Sequence, residues 1–194
     1  MSLTKTHKII IGSATIILSV YIVLSFLKPK LKTKPKLKQM EVFLVGGLDN
    51  RGGDLSIFQQ VGLVKKGFSS SKNVVGVRYS DYDSINQLIK SQTQSPYVLL
   101  FSAGCRWSSK IAGLFKEKNF DLNNIYIIEP YHSGGTTSKS VLKAVSMGVP
   151  NKNVFVGSST STGKGIVPNT SLTPNCNPKH WCSLTEVAKI INSI

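Results

Sequence analysis

From Glu41 onward the chain alternates short apolar runs with stretches of mixed polarity. Val42 to Val45, closed by Gly46-Gly47, predicts a buried strand ending in a turn. Leu55 to Val64 carries a weak helical period, Asn73 to Tyr79 a second strand, and Ser84 to Lys90 a short helix capped by its serine. Tyr97 to Phe101 predicts the third strand, Trp107 to Lys116 a helix, and Asn124 to Glu129 the fourth strand. Thr137 to Met147 predicts a helix stopped by Gly148 and Pro150, Asn153 to Val156 the fifth strand, and Leu184 to Asn192 a terminal helix. The strands are continuous apolar runs and do not alternate apolar with polar. Runs of that kind need cover on both faces, so the pattern predicts an α/β domain: a mostly parallel sheet of about five to six strands between two helical layers. Ligands in such sheets bind beyond the carboxyl ends of the strands.

A different pattern precedes the domain. Ile9 to Leu27 is 19 residues without a charge, about the length that crosses a hydrocarbon core of roughly 30 Å. A cleaved signal peptide is the competing reading. The run is longer than the usual apolar region of about 7–15 residues, and lysines follow it where a small-residue cleavage site belongs. The sequence therefore predicts an N-terminal tail (1–8), one transmembrane anchor (9–27), a Lys/Pro-rich linker (28–40) and a domain (41–194). Lysines alternating with Pro29 and Pro35 make the linker stiff and extended.

This division changes the meaning of the net charge of +15. Eight of the 24 basic residues lie before Glu41, and all nine acidic residues lie in 41–194, which leaves the domain at +7. The linker lysines are placed to meet lipid headgroups, at about 1 kcal/mol each beside an anionic leaflet. Two lysines precede the apolar run and six follow it, so the positive-inside rule puts the domain in the cytoplasm, or inside the virion if the source is a virus. No helix-turn-helix, zinc-finger or RNP-like pattern accompanies the basic excess, and nucleic acid is not an expected partner. Three cysteines leave the compartment open: Cys176 and Cys182, around His180, could close a disulfide loop that suits an oxidising space, and Cys105 is left over.

The most specific local pattern is Tyr97 to Gly113, YVLLFSAGCRWSSKIAG. A strand runs into Ser102-Ala103-Gly104 and a helix follows. That layout presents a serine hydroxyl at a sharp turn and sets the next amide to stabilise an oxyanion. The usual G-x-S-x-G reads Leu100-Phe101-Ser102-Ala103-Gly104 here, without the first glycine. A serine nucleophile needs a histidine base. His7 precedes the anchor, His132 follows the fourth strand, and His180 lies just before the last helix. His180 fits the chain order Ser…His; a plain surface histidine in a cysteine-braced loop is the alternative.

On these residues, 41–194 resembles the C-terminal two-thirds of an α/β hydrolase fold of the lipase and esterase type. The resemblance implies Ser102 as nucleophile, His180 as base, and an oxyanion hole from the amides of Gly47, Leu48 and Ala103. Family members often carry their acid in a stretch similar to D-G-x-V-P, where this chain has Lys164 in Gly163-Lys164-Gly165-Ile166-Val167-Pro168. No acidic residue lies between Glu129 and Glu186, so Glu129, at the end of the fourth strand, is the acid the resemblance leaves. A strand-end surface charge is its other reading. The implied activity is hydrolysis of an ester, lipid esters included, with a small acyl ester as substrate and no cofactor or metal. The rival is a catalytically inactive member of the fold, tethered to a membrane as a binding or structural protein.

Other motifs carry less. Gly157 to Gly165 has five residues between its glycines, one more than a phosphate-binding P-loop, and Gly165 stands where the metal-binding Ser/Thr belongs. Cys176, His180 and Cys182 fall short of a four-ligand zinc site. Asp81 and Asp83 lie too far round the sheet for a catalytic role.

Overall fold

A computed structural model describes residues 41–48, 55–68, 72–130, 136–156, 170–171 and 179–193. All belong to one compact unit, Gln39–Ile194. The expected anchor at 9–27 lies outside the described residues; among the described ones no helix is long and apolar enough to cross a membrane.

The architecture is α/β. Strands β1 (Glu41–Val45), β2 (Asn73–Val77), β3 (Tyr97–Phe101), β4 (Ile125–Ile128), β5 (Val154–Val156) and the two-residue β6 (Thr170–Ser171) form one sheet of order β2-β1-β3-β4-β5-β6. Every pairing is parallel. Helices α1 (Ile57–Gly67) and α5 (Lys179–Asn192) cover one face; α2 (Tyr82–Lys90), α3 (Ser108–Glu117) and α4 (Thr136–Ser146) cover the other. Strand alternation divides the core accordingly. Val42, Leu44, Leu99, Phe101, Tyr126 and Ile128 pack with the α1/α5 layer, while Phe43, Val45, Val98, Leu100, Ile125 and Ile127 pack with α2, α3 and α4. Both faces are buried, which is why the strands read as unbroken apolar runs.

Some boundaries differ from the sequence reading. Helix α2 begins two residues before Ser84, because Asp81 caps it by accepting from the Ser84 amide at 3.1 Å. Helix α1 starts with a capping box in which Ser56 and Gln59 satisfy each other's amides. A 3-10 turn, Ser102–Trp107, leads straight into α3 with no loop. Helix α5 starts at Lys179, not Leu184, and so takes His180 into its first turn.

The chain leaves β1 toward β2 on one side and returns to β3 on the other, so the order reverses between β1 and β3. That switch point is where a doubly wound sheet opens a crevice beyond its strand ends. The segments that follow these two strands are Gly46-Gly47-Leu48 and Ser102-Ala103-Gly104.

Candidate active site

Ser102 directly follows β3 with a positive φ of 52°, and Glu129 directly follows β4 with 47°. The strands are in register at Phe101 and Ile128, so the two residues stand side by side. Left-handed backbone is uncommon outside glycine and costs about 1–3 kcal/mol per residue. Two such positions at adjacent strand ends mark a strained edge.

The strain has a direct consequence at Glu129. By alternation its side chain belongs with Ile125 and Ile127, under α2, α3 and α4. It reaches the opposite layer instead: Ser183 Oγ of α5 donates to Glu129 Oε1 at 3.0 Å, and His180 Nδ1 lies 3.7 Å from Glu129 Oε2. Glu129 is 1% exposed. His180 Nδ1 is buried with no hydrogen-bond partner among the described residues, because 3.7 Å to Glu129 is just beyond bonding reach. The imidazole also packs on Phe101, the residue before Ser102, with ring centroids 4.7 Å apart, and on Trp181 at 5.2 Å. The chain thus brings the end of β3, the end of β4 and the start of α5 together. No hydrogen bond joins Ser102 Oγ to His180; such bonds commonly tighten only when substrate is present.

The tight turn after β3 needs small residues on both sides of the switch point. A Cβ on Gly104 would sit 2.4 Å from Val45 O and 2.8 Å from Gly46 O. A Cβ on Gly47 would sit 2.9 Å from Ser102 Cβ and 3.3 Å from its Oγ. The missing first elbow glycine has a simple explanation: Leu100 fills the core and is fully buried there.

Of the three amides expected to hold an oxyanion, one is engaged. Gly47 N–H donates to Gln60 Oε1 at 2.9 Å, and Gln60 Nε2 donates to Leu55 O at 2.8 Å. Gln60 is fully buried. Leu48 directly follows Gly47, and Ala103 is the second residue of the 3-10 turn, where the first amides have no acceptor within the helix.

Cys105 is no rival nucleophile. Its thiol is buried, free, and donates to Leu100 O at 3.1 Å. Burial pushes its pKa well above the usual thiol range, with the Glu129 charge adding to the rise, and a thiol held protonated is inert. Cys182, two residues after His180, is disulfide-bonded. His132, Lys164, the Gly157–Gly165 stretch and Cys176 lie outside the described residues. Among the described residues no cluster of three metal-ligating side chains occurs.

Gln60 and Ser183 bond to candidate site residues and are not singled out by the sequence. Gln60 does carry a signal: it falls between Ile57 and Val64 on the buried stripe of α1, where a polar residue needs a buried partner. Ser183 carries none. No family model, no curated protein and no solved structure matches the chain.

Proposed function

We propose that the domain is a serine hydrolase that cleaves an ester at the switch point between the ends of β1 and β3, with Ser102, His180 and Glu129 as its triad. The observation that carries this reading is the convergence of a left-handed serine, a buried carboxylate and a buried imidazole nitrogen at one sheet edge. Ser102 Oγ attacks the acyl carbon as His180 takes its proton. The amides of Leu48 and Ala103 hold the oxyanion, with Gly47 pinned behind them. Collapse expels the alcohol, which leaves with the proton from His180, and water then releases the acid by the same steps. Glu129 accepts from Nδ1–H once the 3.7 Å gap closes, and so orients the ring and stabilises its charged form. The resemblance to the lipase and esterase type of α/β hydrolase supports the reaction class. The apolar run at 9–27 supports a membrane-anchored enzyme with its domain on the cytoplasmic or virion-interior side and a substrate at the bilayer, including a lipid ester.

The second reading, an inactive tethered domain of the same fold, is favoured by the engaged Gly47 amide and the open His180–Glu129 gap. A fluorophosphonate probe separates the two. Full-length protein in detergent micelles should label, and both Ser102→Ala and His180→Ala should abolish labelling. A folded wild-type chain that does not react supports the inactive reading; labelling that survives Ser102→Ala removes Ser102 as nucleophile.

A further inference from the structure

A groove of about 530 Å³ lies among α2, α3 and α4, and Ser102, Glu129 and His180 are not in its lining. Helix α2 lines one wall with Tyr82, Asn86 and Lys90, spaced four apart; Ser109, Lys110, Gly113 and Glu117 of α3 form the floor, and Lys143 of α4 closes the other wall. Its volume falls in the range of small-molecule sites. Its lining carries three lysines and one glutamate.

Two features set it apart from a solvated helix face. The first is Gly113, in the middle of α3. Glycine is disfavoured in a helix interior relative to alanine, and here packing does not require it: an added Cβ would meet only Met147 Cε, at an ordinary 3.7 Å. What the missing side chain does is leave the groove floor open. The second is the fixing of Lys110, whose Nζ lies 4.7 Å from the ring centres of both Tyr82 and Trp107. Those rings are themselves 4.8 Å apart. A cation held over two aromatic faces is pre-organised, which lowers the ordering cost of binding.

We propose that this groove binds a phosphorylated polyol. Lys90, Lys110 and Lys143 take the phosphate oxygens by charge-assisted hydrogen bonds. Glu117 accepts from the polyol hydroxyls, and Asn86 and Ser109 serve them as donor or acceptor. A lone anion would leave Glu117 opposed to it; a polyol phosphate uses both signs of charge in the groove. The ligand chemistry is that of an inositol phosphate, either free or as a lipid headgroup, and the site is independent of any chemistry at Ser102.

The test uses full-length protein in detergent micelles, titrated calorimetrically with inositol trisphosphate. Wild type should bind with 1:1 stoichiometry. Gly113→Leu, which fills the floor, should weaken binding at least tenfold without lowering the melting temperature, and Gly113→Ala should melt no lower than wild type. Lys110→Glu with Lys143→Glu should abolish binding. A second arm places the full chain in phosphatidylcholine vesicles containing a few per cent of either phosphatidylinositol bisphosphate or charge-matched phosphatidylserine. Protection of α3 amides from hydrogen exchange by the inositol lipid alone assigns the headgroup source, and binding of the soluble ligand with no such protection assigns the free one. No binding in either arm, equal protection by phosphatidylserine, or binding untouched by Gly113→Leu overturns the proposal.

Discussion

The two helical layers bury polar groups in different ways. In the α2–α4 layer these groups are satisfied within the layer or by nearby backbone: Ser108 Oγ donates to Cys105 O at 2.6 Å, Ser140 Oγ pairs with Ser109 Oγ at 3.0 Å, and Asn153 Nδ2 donates to Asn123 O and Ile125 O. In the α1/α5 layer Thr185 is satisfied locally on Leu63 O, but three groups reach the carboxyl edge of the sheet: Gln60 to Gly47, Ser183 to Glu129, and His180 toward Glu129. Local satisfaction closes a fold. Polar groups buried against a strained edge are costly unless paired, and that layer is the one that supplies His180 and Ser183 to the candidate active site.

The largest separation between the layers should come from relieving the strain itself. Ser102→Gly removes the nucleophile and lets the left-handed turn relax, so probe labelling should vanish while unfolding free energy rises by about 1 kcal/mol. Chemical denaturation beside labelling checks this. If Ser102→Gly is less stable than wild type, the positive φ of 52° is not a strained conformation.

Glu129→Gln comes next. It keeps the size and the left-handed backbone but offers an amide where His180 Nδ1 needs an anionic acceptor, so labelling should slow by about 10^3–10^4-fold, with little effect on KM for an ester substrate. Ser183→Ala loses one hydrogen bond to the same carboxylate and should slow labelling by about tenfold, in keeping with roughly 1.5 kcal/mol for a bond to a charged group. Equal rates for all three proteins would return Glu129 to the role of a buried strand-end charge.

The sequence carried the layers better than the edge. Five strands, the covered faces and the turn at Ser102 follow from apolar runs and small residues, because burial on two sides and a tight crossover each demand particular residue types. Gly104 illustrates this: the carbonyls of Val45 and Gly46 leave no room for a Cβ. Two-residue β6 lies in a Gly/Ser/Thr/Pro-rich stretch too short to form an apolar run. The turning of Glu129 into the α1/α5 layer is invisible to alternation, since one positive φ reverses the face that a period of two assigns. Helix α5 starts five residues before its apolar period does, because Lys179 to Ser183 carries no helical apolar period of its own. Its order comes from packing, with Trp181 set against Phe101 at 5.4 Å.

A matched pair compares the layers at smaller scale. Gln60→Leu leaves the Gly47 amide and the Leu55 carbonyl without their buried partner and should cost about 1–3 kcal/mol. Because Gly47 abuts Ser102, it should also slow labelling several-fold in the fraction that remains folded. Ser140→Ala breaks its bonds with Ser109 and should cost about 1 kcal/mol, with labelling of the folded protein unchanged. If Ser140→Ala slows labelling as much as Gln60→Leu does, the distinction between the layers fails.

The smallest effect belongs to the cap of α2, in the layer that contributes no side chain to the Ser102–His180–Glu129 cluster. Asp81 accepts from both the amide and the hydroxyl of Ser84, and the side-chain bond, followed by the backbone bond, holds its carboxyl below the ordinary 3.8. A carboxylate whose folded pKa is lowered stabilises the native state above its unfolded value and loses that contribution as pH falls through the folded one. Wild type should therefore melt slightly above Asp81→Asn at neutral pH, and the gap should close as the pH drops below the ordinary carboxylate range. Asparagine keeps one acceptor but does not titrate. Probe labelling at neutral pH should be the same for both proteins, since among the described residues the Asp81 side chain bonds only to Ser84. A gap in melting temperature that persists in acid would assign the cap's effect to the shape of the turn and not to the charge of Asp81.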